Sequence, residues 1–482
     1  MKILYLCLGL ASLLLCAGCG SNSGGVPGFI PKGNFSNASL TGQYVYQIEG
    51  FDFTNPNAVS PYREAGVFTA NGNGLITAAT DDLSEGTGVA STVSTGSYTI
   101  ATDGTGTVSF SNALLGAITL EVTMVSASKV YLVEGDSQVN AGGLAEKQDL
   151  TAITAAPSGT FVFREHDNNV STQQSSAIVG AFTVGGGVAS NGNKDTNLGG
   201  TLSSLTFTGS FNAPDPATGR GTGTFTDSSP ATSSFNYYIV DANNIRLLAS
   251  TINVVGEGRA ELQNGTPALS GSYAFGSEGD TASLGGVNMA GRFTAGTGAI
   301  TAGARDSAQD GGVASNVNFT GTFTPVAANG RTVLTLTTAA NSSFVVWMVS
   351  PARGLFLVND PNTVQDGSLD LQLVASFANS SMNGQYGFVM NGFDQGGAKD
   401  RVGTLQWDGS GKLILNEFTN AAGTPNTATL SGNYAVSANG RTGASISNLS
   451  SNLIFYLISG NDAYVVQTDP NTEINGTISK QQ

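Results

Sequence analysis

One opening phrase recurs four times along the chain: LTGQYVY at 40 to 46, PSGTFVF at 157 to 163, LSGSYAF at 269 to 275 and MNGQYGF at 382 to 388. Its glycines, Gly42, Gly159, Gly271 and Gly384, lie 117, 112 and 113 residues apart. A second phrase recurs in each interval, STGSYTI, FTGSFNA, FTGTFTP and LSGNYAV, on Gly96, Gly209, Gly321 and Gly432. Each copy then closes on a glycine followed five residues later by glutamine: Gly143 to Gln148, Gly258 to Gln263, Gly367 to Gln372 and Gly476 to Gln481. Three anchors in the same order four times make a tandem array, with the fourth unit complete at Gln481. A unit near 110 residues far exceeds a solenoid repeat, which cannot fold alone, and can bury about 65% of its unfolded surface as a domain.

Within the first copy, alternation of apolar and polar residues predicts eight strands: Gln43 to Glu49, Glu64 to Ala70, Gly74 to Thr80, Val93 to Ala101, Gly106 to Ser111, Ala117 to Val125, Lys129 to Glu134 and Gly143 to Gln148. ANGNG at 70 to 74 and TDGTG at 102 to 106 supply hairpin turns, so consecutive strands pair antiparallel. One apolar face per strand and short connections suit a sheet closed on itself, which leaves no free edge. The expected fold is therefore all-β, four antiparallel modules at 37–150, 155–264, 267–374 and 380–482, each an eight-stranded up-and-down barrel. The opening motif is loosely similar to that of streptavidin and lipocalin barrels. Two-sheet sandwiches, or an eight-bladed propeller built from half-units of about 55 residues, are the alternatives. Composition agrees: 65 Gly and 11% charged residues, against a usual charged share of about 25%, leave few of the Lys and Glu that cover helices. The 24 Phe and 13 Tyr recur at repeated places, unlike the aromatics of a disordered chain.

The N-terminus carries Lys2 and an apolar run from Ile3 to Leu15, too short to span a bilayer, followed by Cys16-Ala17-Gly18-Cys19. LLLCAGC resembles a bacterial lipoprotein signal, with Cys16 where leucine is usual. The resemblance implies a signal peptide at 1–18, cleavage after Gly18 and acylation of Cys19. Gly20 rather than an acidic residue follows, which by the same resemblance favours the outer membrane. Residues 19–36 have the Gly/Ser/Pro content of a flexible tether with a reach of roughly 20 to 25 Å. Cys7, Cys16 and Cys19 are the only cysteines, so the mature chain has no internal disulfide.

From residue 37 onward the chain resembles repeat-bearing lipoproteins encoded in soil-bacterial genomes, in which phrases such as GVFTANGNG (66 to 74), GRFTAGTG (291 to 298) and GRGTGTF (219 to 225) recur in units of about 110 residues. Copy two has a degenerate GAFTVGGG at 180 to 187, and copy four brings Trp407 into GTLQWDGSG. The resemblance implies no activity, cofactor or site residue.

Chemistry-bearing residues are sparse. His166 is the only histidine, where the other copies have Ile48-Glu49, Ser277-Glu278 and Met390-Asn391, and it reads as a solvated loop residue. One imidazole and no free thiol leave little for zinc, haem or a catalytic triad, so no catalytic residue, metal site or cofactor is expected. The carboxylates Asp81, Asp82 and Glu85, Asp306 and Asp310, Asp360 and Asp366, and Asp469 with Glu473 read as turn residues. Trp347, Trp407, Tyr237 and Tyr238 read as core or belt aromatics rather than a sugar platform. A net charge of -15 argues against nucleic acid. The function expected is non-enzymatic binding or adhesion by a lipid-anchored envelope protein, with a glycan or protein ligand of unknown identity. A structural spacer is the alternative, and a polysaccharide hydrolase the third reading.

Overall fold

The computed structural model describes residues 33–54, 59–112, 116–229, 231–281, 285–337, 343–447 and 451–482. The signal peptide, Cys19 and the tether up to residue 32 lie outside the described residues. Each of the four repeats is a closed antiparallel barrel of eight strands in simple up-and-down order, as the alternation predicts, and neither the sandwich nor the propeller forms. In module 1 the strands are β1 Thr41–Asp52, β2 Ser60–Asn71, β3 Leu75–Ser84, β4 Val89–Ile100, β5 Thr105–Asn112, β6 Gly116–Ser126, β7 Lys129–Glu134 and β8 Val139–Lys147. All eight expected strands are present, most of them extended by a few residues.

Barrel closure pairs β1 with β8, Tyr46 facing Ala145 and Ile48 facing Gly143. Each opening glycine starts the first strand with φ between +106° and +127°, a conformation that a Cβ disfavours. Inward positions fill four separate cores. Tyr44, Tyr46, Phe68, Phe110 and Leu120 are among those of module 1. Phe161, Phe163, Phe182, Phe207, Phe211, Phe225 and Phe235 pack ring to ring in module 2. Tyr237 belongs to that core, and Trp407 to the core of module 4, 4.6 Å from the Tyr434 ring.

The modules do not stand as separate beads. The first three strands of each barrel pack on the last three strands of the next: module 1 on module 2, module 2 on module 3, module 3 on module 4, and module 4 back on module 1. Such head-to-tail contacts form a ring whenever the rotation closes, and here it closes after four. Between modules 2 and 3, Val162, Ala177, Val179 and Ala181 meet Val345, Trp347, Val349, Leu355, Leu357 and Val364.

The recurring closing glutamine is the latch of this ring. Its backbone N–H completes its own barrel, as Gln148 does on the Gln43 carbonyl and Gln481 on that of Gln385. Its side-chain amide crosses to the next module. Gln148 Nε2 donates to the Thr218 and Ile239 carbonyls at 2.9 and 2.5 Å, Gln263 to Asn329 and Met348, Gln372 to Asn439 and Leu457, and Gln481 of module 4 to Asp103 and Met124 of module 1 at 2.9 and 2.7 Å. The amide lies over Gly219, Gly330, Gly440 or Gly104, whose φ is positive and where a Cβ would come within 2.6 to 2.9 Å of Nε2.

Three of the four seams also share a buried ionic cluster, and it corrects the turn reading of several carboxylates. Asp82 lies in β3, Asp195 in the third strand of module 2 (Val188–Leu198) and Asp306 in the third strand of module 3 (Ala299–Gln309), all fully buried. Each accepts a bidentate pair from the arginine that follows the latch glycine of the next module: Arg220 at 2.6 and 3.0 Å, Arg331 at 2.8 and 2.8 Å, Arg441 at 2.7 and 2.6 Å. An aromatic donor completes each set, Tyr238 Oη at 2.6 Å, Trp347 Nε1 at 2.9 Å and Tyr456 Oη at 2.6 Å. Tyr238 and Trp347 are thus seam residues. Asp81 also sits in β3, and Asp366 and Glu473 lie in last strands, whereas Glu85, Asp310, Asp360 and Asp469 do fall between strands.

At the seam that closes module 4 on module 1 the corresponding register positions hold Phe418, Thr105 and Thr123. The contact there is apolar, built on Val125, Tyr131, Val133, Val389 and Val402, with Phe418 packed against them. Asp195→Ala strands a guanidinium and a buried indole N–H, and is expected to cost about 3 kcal/mol in urea unfolding. Phe418→Asp installs the acid that the other seams use without its partners, and should cost about 2 kcal/mol. Adding Thr105→Arg and Thr123→Tyr should recover most of that loss.

Candidate functional site

Around the centre of the ring, each module presents the outer face of its first and last strands. Along β1 the inward residues Tyr44 and Tyr46 alternate with Gln47 and Glu49, which face out of the barrel, and the register places their counterparts at the same levels in every module. Gln47 corresponds to Arg164, Gly276 and Val389, and Glu49 to His166, Glu278 and Asn391. On the last strands Gly142 corresponds to Glu257, Asp366 and Asn475, and Leu144 to Arg259, Ser368 and Thr477. The inward set at these levels stays aromatic, Tyr46, Phe163, Phe275 and Phe388, while the central set differs in charge from copy to copy. Barrel packing therefore does not dictate the central residues.

These strands enclose two adjoining chambers of about 410 and 420 Å³, each lined by all four modules and both bordered by Glu49, Glu278, Asn391 and Asn475. Both volumes fall within the range of small-ligand pockets.

His166 belongs to this centre, not to a solvated loop. It lies within the first strand of module 2 (Gly159–Asn169) and is 6% exposed. Its Nδ1 is 2.9 Å from Asp366 Oδ1 and its Nε2 3.5 Å from Asp280 Oδ2, both on module 3. Burial disfavours the imidazolium, but hydrogen bonds to Asp280 and Asp366 outweigh it and hold the pKa well above its usual value. With a carboxylate on each nitrogen, the ring serves as a fixed cation and not as an available base. Asp366 is correspondingly lowered, because Arg164 and His166 overcome its burial. Arg164 pairs closely with Asp366 and lies 3.6 Å from Glu278 and 4.0 Å from Glu257.

The lower chamber gathers four guanidinium groups. Arg246 pairs with Glu146, and Arg353 takes Glu261 at 2.6 and 2.9 Å and Asp370 at 2.9 Å. Despite its burial, Glu261 is held at about 2 by Arg353 and Arg259. Arg259 reaches only Glu261 Oε1, 3.3 Å from its Nε, and is pushed down to about 10 by burial and by Arg164 and Arg353. Glu49 is pushed up to about 8 by burial and by Glu278, against the opposing pull of Arg63 at 3.4 Å.

Little of this centre is visible as a motif. The signal that marks it is departure from the repeat: VFREH where the sister phrases carry VYQIE, AFGSE and GFVMN, and GRAELQ where they carry GLAEKQ, GSLDLQ and GTISKQ. Glu49, Arg164, Glu257, Arg259 and Glu278 escape notice because their meeting depends on four strands from three modules.

No family model matches the chain, and no curated protein matches it in sequence. Among solved structures, intact Ap-TbpB with its N and C lobes overlays at 8% identity, covering 75% of this chain and 86% of that one, with a TM-score of 0.18. Isotype 1 transferrin binding protein B from serogroup B Neisseria meningitidis overlays at 7% identity, covering 73% and 83%, with a TM-score of 0.19. At these scores the likeness carries no weight for function.

The central carboxyls fix the sign of a pH effect. Glu49, raised to about 8, and Glu165, raised to about 8 chiefly by burial and Asp167, contribute stability that is complete below about pH 4.5 and is lost as pH rises through 8. Glu261, lowered to about 2, contributes stability present above about pH 4.5 and lost as pH falls towards 2. Urea midpoints are therefore expected to peak between pH 4.5 and 6 and to decline towards pH 8. Glu49→Gln should flatten that decline by about 1 to 3 kcal/mol, and an unchanged slope would contradict the assignment.

Proposed function

We propose that this chain is a non-enzymatic binding protein of the cell envelope, anchored by lipid at Cys19, whose ligand enters the centre of the four-barrel ring. The observation that carries the reading is the central cavity, where four copies of one scaffold face converge and differ in charge from copy to copy. A spacer needs no such divergence, and a ring that returns module 4 to module 1 gains little length from its third and fourth domains. A triad hydrolase would need an available imidazole base, and His166 is committed to Asp280 and Asp366 on both nitrogens. The lipoprotein resemblance of LLLCAGC supports the anchor, and the absence of an acidic residue after Cys19 supports the outer membrane.

Two measurements test this reading. Cells expressing the full chain should incorporate radiolabelled palmitate and hold the protein in the outer-membrane fraction, and Cys19→Ser should abolish the label and release the protein. The detergent-solubilised full chain, screened against glycan, protein and small-metabolite panels, should bind a ligand with an affinity that falls at least tenfold in Asn391→Trp, which obstructs both chambers. Silence across all the panels would transfer the assignment to the spacer reading.

A further inference from the structure

The lower chamber has one guanidinium, that of Arg259, whose hydrogen-bond donors the protein leaves unused. Of its guanidinium groups, Arg164, Arg246 and Arg353 each have at least one close carboxylate partner. Among the described residues Glu261 is the only acid within reach of Arg259, and it is already engaged on both oxygens by Arg353. Among the described residues no acceptor makes a hydrogen bond with Arg259, whose side chain, 19% exposed, borders the chamber. The repeat does not call for a charge here, since the corresponding residues Leu144, Ser368 and Thr477 are neutral. The lining sets Lys129 and four guanidinium groups against Glu49, Glu257, Glu278, Asp370 and Asp462, so the call for an anion is local to Arg259.

The rest of the chamber speaks to the body of the ligand. Its volume, about 410 Å³, is more than a bare inorganic anion fills. Modules 3 and 4 contribute the hydroxyl and amide groups of Ser368, Asn475 and Thr477 together with the carboxylates of Asp370 and Asp462, and Glu278 offers a further acceptor. Such a wall suits several hydroxyl groups and suits a hydrocarbon chain poorly.

Resting on the binding-protein reading above, we infer that the lower chamber takes a small polyhydroxylated carboxylic acid, a sugar acid in chemical class, with its carboxylate on the Arg259 guanidinium and its hydroxyls towards Ser368, Asn475 and Thr477. The arrangement divides recognition in two. A planar guanidinium receives the carboxylate in bidentate fashion, and the hydroxyl, amide and carboxylate acceptors of modules 3 and 4 select for hydroxyls.

The test is isothermal titration calorimetry of the full chain in detergent with D-glucuronate and D-gluconate, with D-glucose and sodium sulfate as the neutral and inorganic comparisons. At least one of the two acids should bind at least tenfold more tightly than glucose and sulfate. Arg259→Gln should weaken that acid by about 10- to 100-fold, the loss of one charge-assisted bidentate contact. Arg259→Lys, which keeps the charge without the fork, should retain part of the affinity and serves if the glutamine variant does not fold. Equal binding by Arg259→Gln, or sulfate binding as tightly as the acids, overturns the proposal. Glucose binding that Asn391→Trp abolishes, without acid binding, overturns it too while leaving the binding-protein reading intact. Failure of all four probes overturns the sugar-acid class alone, because the wider panels test the general reading separately.

Discussion

A closed barrel has satisfied every strand edge, so nothing in its hydrogen bonding obliges it to touch another barrel. What joins these four is the side chain of one glutamine, which leaves its own last strand and supplies a donor to two backbone carbonyls of the next module. The contact is directional: strands one to three of one module meet strands six to eight of the following one. A directional contact repeated identically has two outcomes, an open filament or a ring, and the one realised depends on the rotation per step. Four steps return Gln481 to Asp103 and Met124, so the last module buries the face that the first would otherwise leave exposed. The domains of this chain are therefore closed twice, once within each sheet and once around the ring.

This dependence explains what could be read in advance. The closing glutamine recurs four times because four seams use it, and the glycines at 104, 219, 330 and 440 recur because its amide lies against them. The strands of module 1 were legible because alternation is a local property, and Tyr44, Tyr46 and Phe68 fall inward by that rule. Asp82, Asp195 and Asp306 were not legible as strand residues. A carboxylate in a strand reads as a turn former until its arginine, aspartate to arginine more than 130 residues away, is known to lie against it. The GR and NGR phrases at 219–220, 329–331 and 439–441 recorded half of each pair, but nothing local joins an arginine in one repeat to an aspartate in the preceding one. His166 was misread for a related reason: the carboxylates that bury and charge it belong to the next module.

Duplication also separates two demands that a single barrel would have to reconcile. Inward positions must keep filling a bore of fixed width, and at the level of Tyr46 they stay aromatic in all four copies, although charged groups such as Glu64 and Lys194 enter the bore elsewhere. Seam positions must keep their partners, and three seams retain the same Asp–Arg–aromatic set. Central positions share no common partner set across the copies, and at equal register they range from Val389 and Gly276 to Arg164 and Glu257. A repeat protein thus displays its own internal control, since a residue that departs from its three counterparts shows where the shared scaffold leaves the choice of side chain open.

The odd seam follows from the same logic. A buried ion pair gains little net free energy over well-packed apolar groups, because both charges must first be desolvated, yet it enforces register strongly, because a misplaced charge is expensive. Three consecutive seams, joined by short covalent connections, carry the ionic set and fix the angle between successive modules. The fourth must join segments at opposite ends of the chain, and once the first three angles are set its geometry is already determined. Register there needs no ionic enforcement, so Phe418, Thr105 and Thr123 can give up the charges and leave closure to apolar contact and the Gln481 latch. The same seam carries Asn420, whose amide donates to the carbonyls of Glu134, Asp136 and Val139, a contact that requires module 4 to be already seated beside module 1. Closure in this ring is thus the consequence of three enforced angles, held at the end by groups that add affinity without having to choose the register.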